Sequence, residues 1–177
     1  MFGKLSLPGK NALDKTIEII TKQEELLTFP HFNRQDAWDL GHVFAEIIAQ
    51  KKLPAPVCIR FLSGQVVFQW SGEGTNADND YWMIRKFRLV RDTEMSSLLN
   101  VAWFKKKGET LESRGLDSHR YAAAGGGFPI KVQDSGLFAV VTVSGLPQTE
   151  DHGLLVEGIS RYLGITGIPQ LPKNTGI

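Results

Sequence analysis

Two acidic clusters, one glycine run and a basic helix carry the side chains in this sequence that are equipped for chemistry. Glu150-Asp151-His152 stands at an expected helix start, where carboxylates favour the positive end of the helix dipole and an imidazole exchanges protons near neutral pH. The same residues also read as a charged first turn, because adjacent helix positions do not share a face and make no site alone. Asp78-Asn79-Asp80 has the same two readings. Its three oxygen-bearing side chains suit a cation, and they equally cap amides that have no partner inside the helix. His152, Glu150 and Asp78 are therefore the candidate acids and bases.

The run Ala122-Ala123-Ala124-Gly125-Gly126-Gly127-Phe128-Pro129 bears no side chain that would keep an anionic ligand from its amides. It lacks the lysine spacing of a phosphate-binding P-loop, and such a run also suits a tight turn or a subunit contact. Gly125, Gly126, Gly127 and Phe128 are the candidate ligand contacts here. Lys86, with Arg85, Arg88 and Arg91, offers positive charge to a ligand carboxylate or simply solvates a helix face. Trp82 supplies an aromatic wall, and Arg120 a second electrostatic anchor. Ser144, between a strand and a proline-containing loop, has no G-x-S-x-G elbow around it, so it is a turn or ligand-contact residue rather than a hydrolase nucleophile. His31, His42 and His119 are dispersed and form no metal-ligand pair, and Cys58 lies in an apolar strand pattern that favours packing over ligation.

Positioning these groups requires a folded core, which the composition allows. The chain has 177 residues, 42% hydrophobic and 22% charged, ordinary values for one globular domain spanning 1–177 with an irregular start and tail. A formal net charge of +1 is too small for the broad positive field of a nucleic-acid binder. One cysteine excludes an intramolecular disulfide and suits a reducing cytoplasm. The first eleven residues show no signal-peptide pattern, and no apolar run approaches membrane-spanning length.

Apolar periodicity predicts a helix over 12–27, through Leu13, Ile17, Ile20 and Leu27, and a second after the Asn33 cap region, through Ala37, Leu40, Phe44, Ile47 and Ile48. Gly41 costs the second helix about 1 kcal/mol relative to Ala, so close packing against a neighbour is expected there. Residues 56–62 and 65–70 read as a hairpin turning at Ser63-Gly64, and 128–132 with 137–143 as another. A third helix starts near Asp78, a fourth helical stretch covers 96–104, and a last helix runs from about Thr149 to Gly164. Residues 105–117 are an exposed loop and 165–177 an irregular tail.

Four stretches in order resemble the GlcG/HbpS-like family: Gln35-Asp36-Ala37-Trp38-Asp39-Leu40-Gly41; Gly74-Thr75 with Asp78-Asn79 and Trp82; Gly125-Gly126-Gly127-Phe128-Pro129-Ile130; and Val143-Ser144-Gly145-Leu146-Pro147-Gln148 with Glu150-Asp151-His152. They resemble its uncharacterised cytosolic branch. The resemblance implies an α/β (α+β) profilin-like fold, with an antiparallel sheet of about five strands and helices on both faces, assembled as a homodimer or larger homo-oligomer. It also brings haem into view as a cofactor, since relatives are associated with haem or corrinoid metabolism. One departure stands out: Ala124 occupies a position where this branch often places a histidine, which removes an imidazole from any chemistry shared there.

Three functions follow as expectations. The first is an oligomeric binder of a small anionic and aromatic ligand such as a tetrapyrrole, held near the glycine run and Trp82. The second is a cofactor-independent isomerase, lyase or cyclase using the acids and bases above, with Lys86 or Arg120 as stabiliser. The third is a protein-interaction adaptor without catalysis. An apolar cleft favours the first two, and a flat exposed patch the third. Neither nucleic acid nor membrane is an expected partner.

Overall fold

The computed structural model describes residues 11–177; the sequence features before Asn11 lie outside them. Five helices and four strands follow in the order α1 (Ala12–Leu26), α2 (Arg34–Lys51), β1 (Pro56–Phe61), β2 (Val66–Ser71), α3 (Ala77–Thr93), α4 (Ser97–Lys107), β3 (Gly127–Val132), β4 (Gly136–Val143) and α5 (Gln148–Leu163). Four of the helices, α1 to α4, begin where short polar side chains take up free amides, whereas α5 follows Pro147 without a side-chain cap. Asn33 accepts from the amides of Gln35 and Asp36 while Asp36 reaches back to Asn33, and Asn76 and Asn79 repeat this reciprocal box at α3. Ser96 caps α4. The helices end as locally: Gly108 and Gly164 adopt the left-handed conformation after α4 and α5.

The sheet is antiparallel in the order β2-β1-β4-β3. Alternation divides its side chains. Val57, Ile59, Ala139, Val141, Val143, Phe128 and Ile130 face the main core, together with Leu40, Phe44, Ile47 and Ile48 of α2 and Leu155 and Ile159 of α5. Phe87 and Val90 of α3 pack on Val140 from the other side. Helices thus cover both faces, as expected of a profilin-like fold. Alternation of this kind makes register costly to slip, since a one-residue shift would exchange core and helix-facing residues. Helix α1 stacks on α4 through Ile17, Ile20, Leu98, Leu99 and Ala102.

Gly41 is explained by packing. A Cβ there would lie 2.3 Å from the Phe68 ring, so the helix accepts its propensity cost in order to seat β2 closely. The strand count is four rather than about five. The nearest thing to a fifth is Phe29, which makes one parallel bridge to Val132, its amide donating to the Lys131 carbonyl at 2.8 Å and its carbonyl accepting from the Gln133 amide at 2.9 Å; β3 ends at Val132, and Asp134, at φ +58°, turns the chain away. The first hairpin also differs from expectation. Residues 62–65 connect β1 to β2, with a register shift at Ile59/Arg60, so the turn is longer than the two residues Ser63-Gly64.

Candidate functional site

The side chains most unlike their surroundings are Lys86 and Asp151. Lys86 occurs on the α3 face that buries Met83, Phe87 and Val90, and Asp151 on the α5 face that buries Leu154, Leu155 and Ile159. Helical spacing therefore drives both charges inward, where they meet. Lys86 Nζ donates to Asp151 Oδ2 at 3.0 Å and to the Val143 carbonyl at 3.0 Å, and the two side chains are only 3% and 2% exposed. The Leu146 amide donates to Asp151 Oδ1 at 3.1 Å, so each carboxylate oxygen has a partner. Burial pulls the Lys86 ammonium below its usual range, against the attraction of Asp151. Burial likewise pushes the Asp151 carboxyl up, against the pull of Lys86. Burial thus weakens the preference of both partners for their charged forms, while their contact at hydrogen-bond distance opposes it.

The glycine run supports this pair from behind. Gly126 holds φ at +114°, and a Cβ there would lie 2.6 Å from both Lys86 Nζ and the Val143 oxygen. Gly125 passes so close to α5 that its Cβ would meet the Gln148 carbonyl at 2.1 Å. Gly145, at φ +126°, similarly clears the Pro54 carbonyl. These glycines serve close backbone approach, which brings the start of β3, the end of β4 and the first turn of α5 together.

In front of the pair a cleft of about 350 Å³ opens, lined by Asp78, Asn79, Trp82, Lys86, Ala124, Gly125, Ser144, Gly145, Leu146, Gln148 and Asp151. That volume lies at the small end of ligand pockets. Trp82, 36% exposed, forms one wall, its ring covered on one side by the Arg85 guanidinium at 4.6 Å. The first turns of α3 and α5 both border the opening. Five residues singled out in the sequence, Asp78, Trp82, Lys86, Gly125 and Ser144, come together here from three separate stretches.

The remaining candidates are placed elsewhere. Gly126 lies behind Lys86. The Gly127 amide donates to Ser97 Oγ at 2.9 Å, and Phe128 is fully buried in the main core. Arg120 is exposed on the turn after Asp117, where its carbonyl accepts from Arg88 Nη1 at 3.2 Å. Glu150 is exposed and borders two other depressions on the α5 surface. His152 is fully buried beside Phe128, and its Nε2 lies 2.8 Å from Gln23 Oε1. Because Gln23 Nε2 donates to the Pro169 carbonyl, Oε1 accepts, so His152 carries its proton on Nε2. Burial pulls its pKa down to about 3, leaving a neutral imidazole outside the cleft.

Asp151, the partner that completes the site, went unselected in the sequence in favour of its neighbours Glu150 and His152. The signal was present: a charge at the apolar position of an amphipathic helix is costly unless paired, and Lys86 carries the same signal on α3. Among the described residues no group of three or more His, Cys, Asp and Glu is arranged to hold a metal ion. Cys58 is buried in β1, its thiol pushed up to about 11 by burial. Among the described residues, no helix is long and apolar enough to cross a membrane.

Comparison with known proteins agrees with the fold and spans the cleft. A family model described as haem degrading protein HbpS-like matches residues 32–160. A UPF0303 protein of Streptomyces avermitilis is 43% identical over 149 residues, 84% of this chain and 91% of that one. The crystal structure of the Ybr137w protein is similar with a TM-score of 0.76 at 28% identity, covering 85% of this chain and 91% of its own. That of a PduOC:heme complex shares the fold with a TM-score of 0.62 at 17% identity, covering 78% and 99%. The matched region contains α2, the whole sheet, α3 and nearly all of α5, and on these grounds this chain belongs to the HbpS-like family.

Proposed function

We propose that this protein binds a small, planar, anionic molecule in the cleft between α3 and the β4–α5 turn. The observation that carries this reading is the convergence of an aromatic wall, Trp82, with a buried cation, Lys86, and the small residues Gly125 and Ser144 around one opening. The ammonium has three protons. Two go to Val143 and Asp151, and the third is left for a ligand. The positive ends of α3 and α5 add to the attraction for negative charge. Trp82 presents the face that Arg85 leaves open, which suits a flat ring.

Haem is the group that the family name raises, and a structural neighbour is a haem complex. The cleft contains no His, Cys, Met or Tyr, and Ala124 puts a methyl group where an imidazole would have offered a nitrogen. A tetrapyrrole would therefore be held here through its carboxylates and ring face, not by an axial bond from these residues to iron. Native mass spectrometry of protein purified without added cofactor, followed by haem titration read by absorbance, tests the reading. A retained small molecule or saturable binding at one per chain supports it. An empty protein that responds to neither haem nor small aromatic carboxylates overturns it.

Self-association is part of the same proposal. Among the described residues β2 has a sheet partner on one side only. Beside it Trp38, 55% exposed, meets Phe68 with ring centroids 6.1 Å apart, and Val66 is also exposed. An unpaired edge flanked by aromatic surface is suited to pairing with a second copy around a two-fold axis. The residues support a homo-oligomer acting in a reducing cytoplasm, where Cys58 stays a thiol.

A further inference from the structure

We infer that Lys86 is a carbonyl-reactive amine: it forms a reversible imine with an aldehyde or ketone that enters the cleft, and Asp151 carries the protons. The inference rests on the reading of the cleft as a ligand site and names the substrate class. Among the described residues Lys86 is the one buried lysine, and it is the lysine at the end of this cleft. Its Nζ lies 3.0 Å from Asp151 Oδ2, within reach for direct proton transfer. Gly126 keeps a side chain from standing 2.6 Å from the nitrogen and 3.1 Å from Asp151 Cβ, so the ammonium and the carboxyl meet without a third side chain between them. Desolvated lysines of this kind are those that act as imine-forming nucleophiles. The burial that lowers the proton affinity of Lys86 works in the same direction.

The step balances within the pair. The ammonium gives one proton to Asp151, leaving a neutral amine beside a carboxylic acid. The nitrogen lone pair attacks the carbonyl carbon, a C–N bond forms, and the carbonyl π electrons move to oxygen, which takes the proton from Asp151. A proton then passes from nitrogen back to Asp151, and the carboxyl delivers it to the hydroxyl as the C–O bond breaks. Water leaves, and the product is a protonated imine facing the Asp151 carboxylate. The buried charge pair is thus regenerated with the cation on the imine nitrogen, so no uncompensated charge is created in the interior.

The test treats the full chain at near-neutral pH with para-carboxybenzaldehyde and cyanoborohydride, then maps modified lysines by peptide mass spectrometry. Lys22, Lys51 and Lys106, whose side chains stand at the surface, serve as internal references. Preferential labelling of Lys86, by about tenfold or more over these three, is the expected result. Lys86→Arg, which keeps the charge but not the nucleophilic amine, abolishes that label, and Asp151→Asn slows it. Labelling confined to exposed lysines, with Lys86 unmodified in the folded wild-type protein, overturns the inference even if no variant folds. Binding of benzoate, which has no carbonyl carbon open to an amine, separates the two proposals. If benzoate binds the cleft while Lys86 stays unlabelled, the imine fails and the ligand site stands; if Lys86 stays unlabelled and neither benzoate nor haem binds, both fail.

Discussion

At the scale of single residues the molecule is defined by charges that burial has forced into partnership. Removing one member of the Lys86–Asp151 pair leaves the other uncompensated in the interior, so Lys86→Met should cost about 3–5 kcal/mol in urea unfolding. The double change Lys86→Met with Asp151→Leu should recover much of that loss, because it removes both desolvated charges at once. A double change as damaging as the sum of the singles would show that the surrounding hydrogen bonds, not the pair, hold this region. His152 gives a pH signature. Its folded pKa is lowered from 6.5 to about 3, so between these values the unfolded imidazole binds a proton that the folded one does not. Stability present above pH 6.5 is therefore lost as pH falls through that window, by up to about 5 kcal/mol. Unfolding midpoints followed from pH 7 to pH 4 should fall less steeply in His152→Leu than in the wild type.

At the scale of elements, close approach matters as much as propensity. The α2–β2 contact is seated by Gly41, and an alanine there would press on the Phe68 ring, so Gly41→Ala should destabilise by about 1–3 kcal/mol. Phe68→Leu should relieve part of the clash, and a double-mutant cycle should show clear non-additivity. Helix boundaries were legible in the sequence because they depend on nearby atoms. Asn33 caps amides two or three residues away, and Gly164 adopts the left-handed conformation that ends α5; the end of α4 was misplaced, since the helix runs on through Lys107 to Gly108 where the charged sequence from 105 suggested a loop. The strands were less so: the single bridge of Phe29 to Val132 joins residues about a hundred apart and leaves no local pattern. Half of the site could be read in the same way. Asp78, Trp82, Gly125 and Ser144 stood in recognisable motifs, whereas the Lys86–Asp151 contact joins residues 65 apart and exists only once α3 and α5 are docked on opposite faces of the sheet. Its trace in the sequence was a lone charge on each apolar helix stripe.

At the scale of the whole molecule, none of Trp38, Val66 and Phe68 at the β2 edge lines the cleft, so binding and assembly draw on different side chains. If the edge pairs two copies, Val66→Lys together with Trp38→Glu should shift light-scattering mass to that of one chain while leaving ligand affinity within about twofold. Unchanged mass would assign assembly to another surface. The central claim, that the cleft is a small-molecule site, is tested most directly by calorimetric titration of benzoate or haem into the wild type and into Ala124→Trp, which enlarges a lining side chain while leaving Lys86 and Asp151 themselves unchanged. The account predicts saturable binding at one per chain in the wild type and its loss, by about a hundredfold or more in affinity, in a variant that remains folded. Equal binding by both proteins would contradict it.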